Sequence, residues 1–330
     1  MDIKIQLDLR VEAVMGALAL ARPHLPGAGW LDHPLRRRIR RTRSHMCGHE
    51  APRLIGRMLG RTFWVDDLCR LAAGLLTVRD GYLHQRTITD PHTVPAVSGC
   101  ERFARALREF AQAISLRDAI EEAADIPSEV TAAVGGAPVI ADWARYIQST
   151  LGSGPGRIRI LPSPLSNAHL GYGPTVITDE GAEAWVIFGP VWRLDWSRRK
   201  LCAFSSNKLG RIIRHELGHS SLNRCTAASP DISEFEYLFP PMQPAMRRLG
   251  YERWDICLNE LILRASEICW IGFHEGAGNA ARLRDRELRQ GFTLIRDAER
   301  ALTDIRGVPL TSALPEFLRE LARSAKRAAA

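Results

Sequence analysis

The sequence predicts an α+β fold, helical first, with a small sheet in the middle of the chain and helices after it. Three observations carry this expectation. Apolar residues recur at helical spacing through much of the first 150 positions and again over about 207–223 and 254–271. Strict alternation marks the opening stretch Ile3-Lys4-Ile5-Gln6-Leu7-Asp8-Leu9-Arg10 and, near the centre, Arg157-Ile158-Arg159-Ile160-Leu161. Between the helical and the alternating textures lies the joint Gly152-Ser153-Gly154-Pro155-Gly156.

Taken in order, residues 3–10 read as a strand and 11–21 as a helix, which Pro23 through Gly29 break. Residues about 50–76 carry helical periodicity in Leu54, Met58 and Leu59, then in Leu68, Leu71, Leu75 and Leu76. Phe103, Leu107, Phe110, Ala111 and Ile114 mark another amphipathic helix. Gly135-Gly136 starts a break, and a short helix over 143–151 runs into the glycine joint. That joint is the expected boundary between a mainly helical region, 1–150, and a second region, 151–330. Its glycines follow a helix and precede a strand, the reverse of the order in a nucleotide-binding loop. Thr175–Thr178 and residues 184–188 flank Asp179-Glu180-Gly181 as a hairpin, and beyond Pro190 the chain is expected to be helical again. Internal repeats and low-complexity tracts are absent from the sequence.

Composition narrows the function classes. The chain of 330 residues is 45% hydrophobic and 25% charged, ordinary material for a sizeable core. No apolar run is long enough to span a bilayer. An apolar stretch at 14–21 follows a strand-like segment and the acidic residues Asp2, Asp8 and Glu12, which is not the pattern of an export leader. Seven scattered cysteines without a C-x-x-C pair fit reduced thiols, and the expectation is a cytoplasmic protein. The net charge of +8 comes almost wholly from arginine: only Lys4, Lys200, Lys208 and Lys326 among the 45 basic residues are lysine. One dense run, Arg36-Arg37-Arg38-Ile39-Arg40-Arg41-Thr42-Arg43, offers a grip for nucleic-acid phosphates. A solvated helical face or loop is the commoner outcome of such a run, and no aromatic residues are interleaved with it. His45-Met46-Cys47-Gly48-His49-Glu50 beside it suits a loop better than a metal site.

The chemistry is expected at Leu209-Gly210-Arg211-Ile212-Ile213-Arg214-His215-Glu216-Leu217-Gly218-His219. Histidines at i and i+4 stand on one face of a helix and can share one tetrahedral Zn2+ ion. Glu216, directly after the first histidine, is then placed to take a proton from an attacking water as general base. Leu209, Ile213 and Leu217 form the stripe that would pin the helix in the core. A catalytic site needs a third protein ligand. The position six residues after His219 is Cys225, whose structural role is the simpler account. Glu260 lies among apolar residues in Trp254-Asp255-Ile256-Cys257-Leu258-Asn259-Glu260-Leu261-Ile262-Leu263-Arg264-Ala265, where a carboxylate is expensive unless it meets a cation. Glu260 is the expected third ligand; the alternative for it is a surface ion pair with Arg264 one turn on.

This combination resembles the glutamate-type zinc peptidases, in which H-E-x-x-H is followed by an Asn-Glu pair on a second helix. The likeness covers His215, Glu216, His219, Asn259 and Glu260, and departs at Arg264, where thermolysin-like members carry an acidic residue. Orientation of the histidines is therefore expected from Glu267 or Asp255. The chain is also similar to an uncharacterised bacterial family of metallopeptidase-like proteins through Arg10-Val11-Glu12, Tyr172-Gly173, the two-histidine motif and Asn-Glu-x-x-x-Arg-Ala. The resemblance implies a zincin-like core and brings no substrate. The expected activity is zinc-dependent hydrolysis of a peptide or protein substrate. Tyr237 is the first candidate to steady the oxyanion, with Tyr251, His274 and Arg264 behind it. The rival is a zinc-stabilised, non-catalytic binding protein that uses the arginine run on nucleic acid. The hairpin strand 184–188 is either the edge on which a substrate strand pairs or a buried core strand.

Overall fold

β1 (Asp2–Ile5) opens the chain, and its partner lies far along the sequence: it pairs in parallel with β4 (Arg157–Pro162), register Ile3 to Ile158 and Ile5 to Ile160. The computed structural model describes residues 1–22, 33–59, 64–86, 100–152, 154, 156–178, 181–194, 200–204, 208–227, 229–305 and 307–329. The architecture is α+β, with a small mixed sheet among helices. Two compact units form, Met1–Ala141 with Pro155–Glu216, and Asp142–Gly154 with Leu217–Ala330. A cut at residue 150 does not describe them, because the β1–β4 pairing stitches together both sides of the glycine joint.

In the first unit, α1 (Leu9–Ala21) is started by Asp8, whose carboxylate accepts from Arg10 N and Val11 N. Then come α2 (Pro34–Met46), α3 (Glu50–Met58) and α4 (Val65–Leu75), a hairpin of β2 (Leu76–Arg79) and β3 (Tyr82–Gln85), α5 (Cys100–Ala113), α6 (Leu116–Glu121), α7 (Ile126–Val134) and α8 (Gly136–Leu151). After β4 the chain forms β5 (Gly171–Tyr172), β6 (Thr175–Thr178) and β7 (Gly181–Phe188). β7 runs parallel to β4 on one side; on its other side β5 and β6 pair antiparallel with successive parts of it. Strands β4 and β7 are buried almost end to end: β7 carries the apolar run of residues 184–188, and the buried Arg159 of β4 donates to Glu183 of β7, whereas β1 alternates as an edge strand does. The hairpin expected at 175–188 is present, and its 184–188 arm is a core strand rather than a free edge. The break expected at 23–29 and the turn residues Asp179 and Glu180 lie outside the described residues.

Two expectations need correction. The chain is not helical directly after Pro190: β8 (Val191–Leu194) and β9 (Lys200–Ala203) form an antiparallel pair before α9 (Lys208–Ala227) begins. Val191, Trp192, Leu201 and Cys202 are apolar but fall in two runs of only four residues, a length at which periodicity does not separate strand from helix. The arginine run is also not simply a solvated surface. It forms α2, and Arg36 turns inward, 4% exposed, donating from Nε to Pro164 O at 2.6 Å and also to Ser166 O.

The same loop is held from α1. Glu12 is fully buried, accepts from Leu165 N at 3.3 Å and is hydrogen-bonded by the Ser163 hydroxyl. The segment after β4, which leads into β5, is thus fixed by a carboxylate from one helix and a guanidinium from the next. Burial pushes the Glu12 carboxyl up to about 8, against the pull of Ser163, Leu165 N and Arg36.

The second unit is helical. A 3-10 turn (Pro230–Leu238) follows α9, then α10 (Gln243–Arg248), α11 (Trp254–His274), α12 (Ala277–Gln290), α13 (Ile295–Asp304) and α14 (Leu310–Ala329). α11 is apolar around most of its circumference and packs on α12 and α13. The end of α8 belongs to this unit: Trp143 meets Trp270 edge-on at 6.4 Å, and Tyr146 OH donates to Ser266 O at 3.0 Å. α9 approaches α11 through a glycine. A Cβ on Gly218 would lie 2.5 Å from Leu263 Cδ2, so only hydrogen fits beneath that leucine. Among the described residues no helix is long and apolar enough to cross a membrane.

Two outcomes follow. Between pH about 4.5 and about 8 the folded protein keeps a proton on Glu12 that the unfolded chain has released, so this residue's contribution to stability falls as pH rises through that window. Glu12→Gln should remove the decline; the gap between wild type and variant in denaturant melts should change by a few kcal/mol from pH 4.5 to 8. A gap that stays constant with pH would show Glu12 to be ionised throughout. Gly218→Val should cost about 1–3 kcal/mol through overpacking, and Leu263→Ala in the same chain should recover part of it.

Candidate metal centre

The helix α9 is seated as its pattern demands, with Leu209, Ile213 and Leu217 all buried. His215 and His219 stand one turn apart on it, partly exposed, with Glu216 buried beside them. Glu260 enters from α11, whose buried residues Cys257, Leu258, Leu261, Ile262 and Leu263 surround it. Ligand atoms of His215, His219 and Glu260 all lie within 4.8 Å of one another. Among the described residues no other group of three histidine, cysteine or acidic side chains converges in this way. Tetrahedral zinc, with bonds of roughly 2.0–2.2 Å, sets neighbouring donor atoms about 3.3–3.6 Å apart. His219 Nε2 and Glu260 Oε1 are 3.2 Å apart. Two imidazoles and one carboxylate therefore fit such an ion and leave a coordination position for water or substrate.

A chain of amides sets the proton on His219. Asn259 Nδ2 donates to Asn223 Oδ1 at 3.3 Å, and His219 Nδ1 lies 3.2 Å from the same oxygen. An amide oxygen only accepts, so Nδ1 is the donor of this pair, and Nε2 is the nitrogen that faces Glu260. Orientation thus comes from Asn223, a residue the sequence reading missed. Its signal was available: Asn223 is four residues after His219, one turn further along the same face. Of the expected orienting residues, one is committed elsewhere. Asp255 forms a two-pronged surface pair with Arg253, and Glu267 is buried on α11.

Glu260 makes the ion pair with Arg264 that one reading expected, but in the interior rather than on the surface. While Oε1 faces His219, Oε2 accepts from Arg264 Nη2 at 3.0 Å. Arg264 Nη1 donates to Glu287 Oε2 at 2.7 Å, and its guanidinium lies 4.6 Å over the Phe292 ring. Glu287, fully buried, also accepts from Arg286. Burial alone would lower Arg264, but Glu260 and Glu287 override it and hold the guanidinium charged.

Glu216 is placed by the sheet of the first unit. A Cβ on Gly171 would fall 2.5 Å from Glu216 Cγ and 2.6 Å from its Oε1, so the glycine in β5 leaves the space that this side chain fills. The next residue, Tyr172, is half-buried; desolvation pushes its hydroxyl up, and the charge of Glu216 adds to the effect.

The oxyanion candidates separate. Tyr237 sits on the 3-10 turn, 53% exposed, its ring beside Phe235, and no hydrogen bond among the described residues joins it to His219 or Glu260. His274 stacks on Trp270 at the far end of α11. Arg264 is engaged by its carboxylates, and the Tyr251 hydroxyl reaches Arg264 Nη2 at 3.3 Å. The side chains of Cys225 and Asp231 lie outside the described residues. In the 45–50 segment His49 caps α3 by accepting from Ala51 N, and Arg38 of the arginine run pairs with Glu122 and Ser115 O. Both segments thus have structural employment.

Comparison with known proteins returns no match to a family model, a curated protein or a solved structure.

Proposed function

We propose that the chain is a zinc-dependent hydrolase with a zincin-like active site, a metallopeptidase cleaving peptide bonds. The observation that carries the reading is the convergence of His215, His219 and Glu260 with Glu216 held on the same helix. A purely structural zinc site is closed by four protein ligands and has no use for a buried carboxylate next to them. The nucleic-acid alternative loses ground because Arg36 and Arg38 are committed to contacts inside the first unit.

When bound, zinc supplies Lewis acidity, polarising a carbonyl and making water a nucleophile near neutral pH. The remaining work falls to the chain. Glu216 accepts the proton of the attacking water and delivers it to the leaving amine. Gly171 fixes where that carboxylate stands, and Asn223 holds His219 in the tautomer that leaves Nε2 free to donate its lone pair. Arg264, anchored by Glu287, holds one oxygen of Glu260 and so aims the other. β5 and β6 lie along the outer side of β7, and an extended substrate adding as a further strand there would run past Glu216.

Protein purified without chelator should hold about one zinc per chain, and His215→Ala or His219→Ala should abolish it. Wild type without stoichiometric metal ends the reading. Glu216→Gln should keep zinc and lose cleavage of a diverse peptide library by roughly 10²–10⁴-fold. Gly171→Ala should also keep zinc while turnover falls at least ~10-fold, because its methyl displaces the Glu216 carboxylate. Wild-type turnover in Glu216→Gln removes Glu216 from the role of base, and in Gly171→Ala it removes Gly171 from the role of placing it.

Glu260→Gln should weaken zinc binding by at least ~100-fold in competition with a chromophoric chelator, and Glu267→Gln by far less. Equal losses would make Glu260 a structural carboxylate only.

A further inference from the structure

A cavity of about 580 Å³ opens in the second unit, between the start of α11, the end of α9 and the 3-10 turn. Asn223 and Asn259 line it, the two amides whose hydrogen bonds run to each other and to His219, so one wall of the cavity is also the support of the candidate centre. Its apolar wall is Phe239 and Trp254, ring centroids 6.3 Å apart, with Trp254 Nε1 donating to Ile232 O. The charged lining is Glu236, Glu252, Asp255 and Arg253. Arg253 is taken up by Asp255, and among the described residues Glu236 and Glu252 have no ion-pair partner. Asn259 adds a buried Oδ1 that accepts no hydrogen bond among the described residues.

We infer that this cavity is the specificity pocket of the site and takes a lysine or arginine side chain of the peptide substrate; the inference rests on the metallopeptidase reading. Three features converge on that class of ligand. The uncompensated charge of the lining is negative in a chain whose net charge is +8, so the pocket opposes the field of the molecule around it. The apolar wall suits the methylene stem of a long cationic side chain. The exposed carboxylates of Glu236 and Glu252 are acceptors, for which an ammonium or guanidinium supplies donors and a carboxylate does not. A volume of this size holds one large side chain with its hydration, consistent with a subsite rather than a cleft for a whole folded partner.

The test uses zinc-loaded Glu216→Gln full-length protein, which keeps the metal without turning peptides over. It is titrated with blocked peptide hydroxamates carrying lysine, norleucine or glutamate on either side of the chelating group. The lysine compound should bind at least ~10-fold tighter than the norleucine compound in one of the two placements, and the glutamate compound more weakly than either. The Glu236→Lys, Glu252→Lys double variant should reverse the lysine–glutamate order and leave norleucine binding unchanged. The preference should also shrink as salt is raised from 50 to 500 mM, as ~10 Å screening requires for a partly open site. Zinc uptake with equal binding of the three compounds in both placements overturns the pocket assignment and leaves the enzymatic reading standing. A protein that takes up no zinc and binds none of the compounds overturns that reading and the pocket with it.

Discussion

Taking a carboxylate out of water costs several kcal/mol unless positive charge meets it, and the second unit is organised around that requirement at Glu260. α11 is apolar on nearly every side, so the helix that brings this residue inward offers it no solvent. Half of the compensation comes from within the fold: Arg264 bonds one oxygen, and Glu287 and the Phe292 face keep the guanidinium in place. The other oxygen turns to His219. With Nδ1 turned to Asn223, Nε2 is the nitrogen that faces this oxygen, and a cation shared between them would complete the compensation. The close passage of α11 over Gly218 is what allows the distance to be so short.

Placement of the base has a separate origin. Glu216 is aimed by a strand, through the missing side chain of Gly171, and that strand is aimed in turn by the loop after β4. Two buried ionisable groups, Glu12 and Arg36, hold the loop from neighbouring helices. For the role proposed for Glu216, rigid placement is worth orders of magnitude in rate, which would make the expense of burying these supports intelligible.

Much of the centre was legible because it is local. His215, Glu216 and His219 declare themselves by helical spacing, and Glu260 by being a charge in an apolar run. Asn223 was equally local and was passed over because an amide four residues on looks like any polar surface position. What could not be read were the long-range acts: Arg36 reaching loop carbonyls about 130 positions away, and a glycine at 171 whose meaning depends on residue 216. The β8–β9 pair escaped for another reason, its strands being too short for alternation to declare itself. The opening strand was recognised as a strand, but that its partner would be Arg157–Pro162 is a matter of topology that periodicity does not address.

The stapled segment between β4 and β5 behaves unlike an ordinary connection. Loops usually absorb insertions and deletions, since little is anchored to them. Here one added or lost residue between Ser163 and Ser166 would draw either the carboxyl of Glu12 or the guanidinium of Arg36 away from its partners and leave a polar group unsatisfied in the interior. Length in this stretch is therefore frozen while its sequence is free to drift. Among diverged relatives the number of positions between Ser163 and Ser166 would outlast the lengths of the surface connections around it.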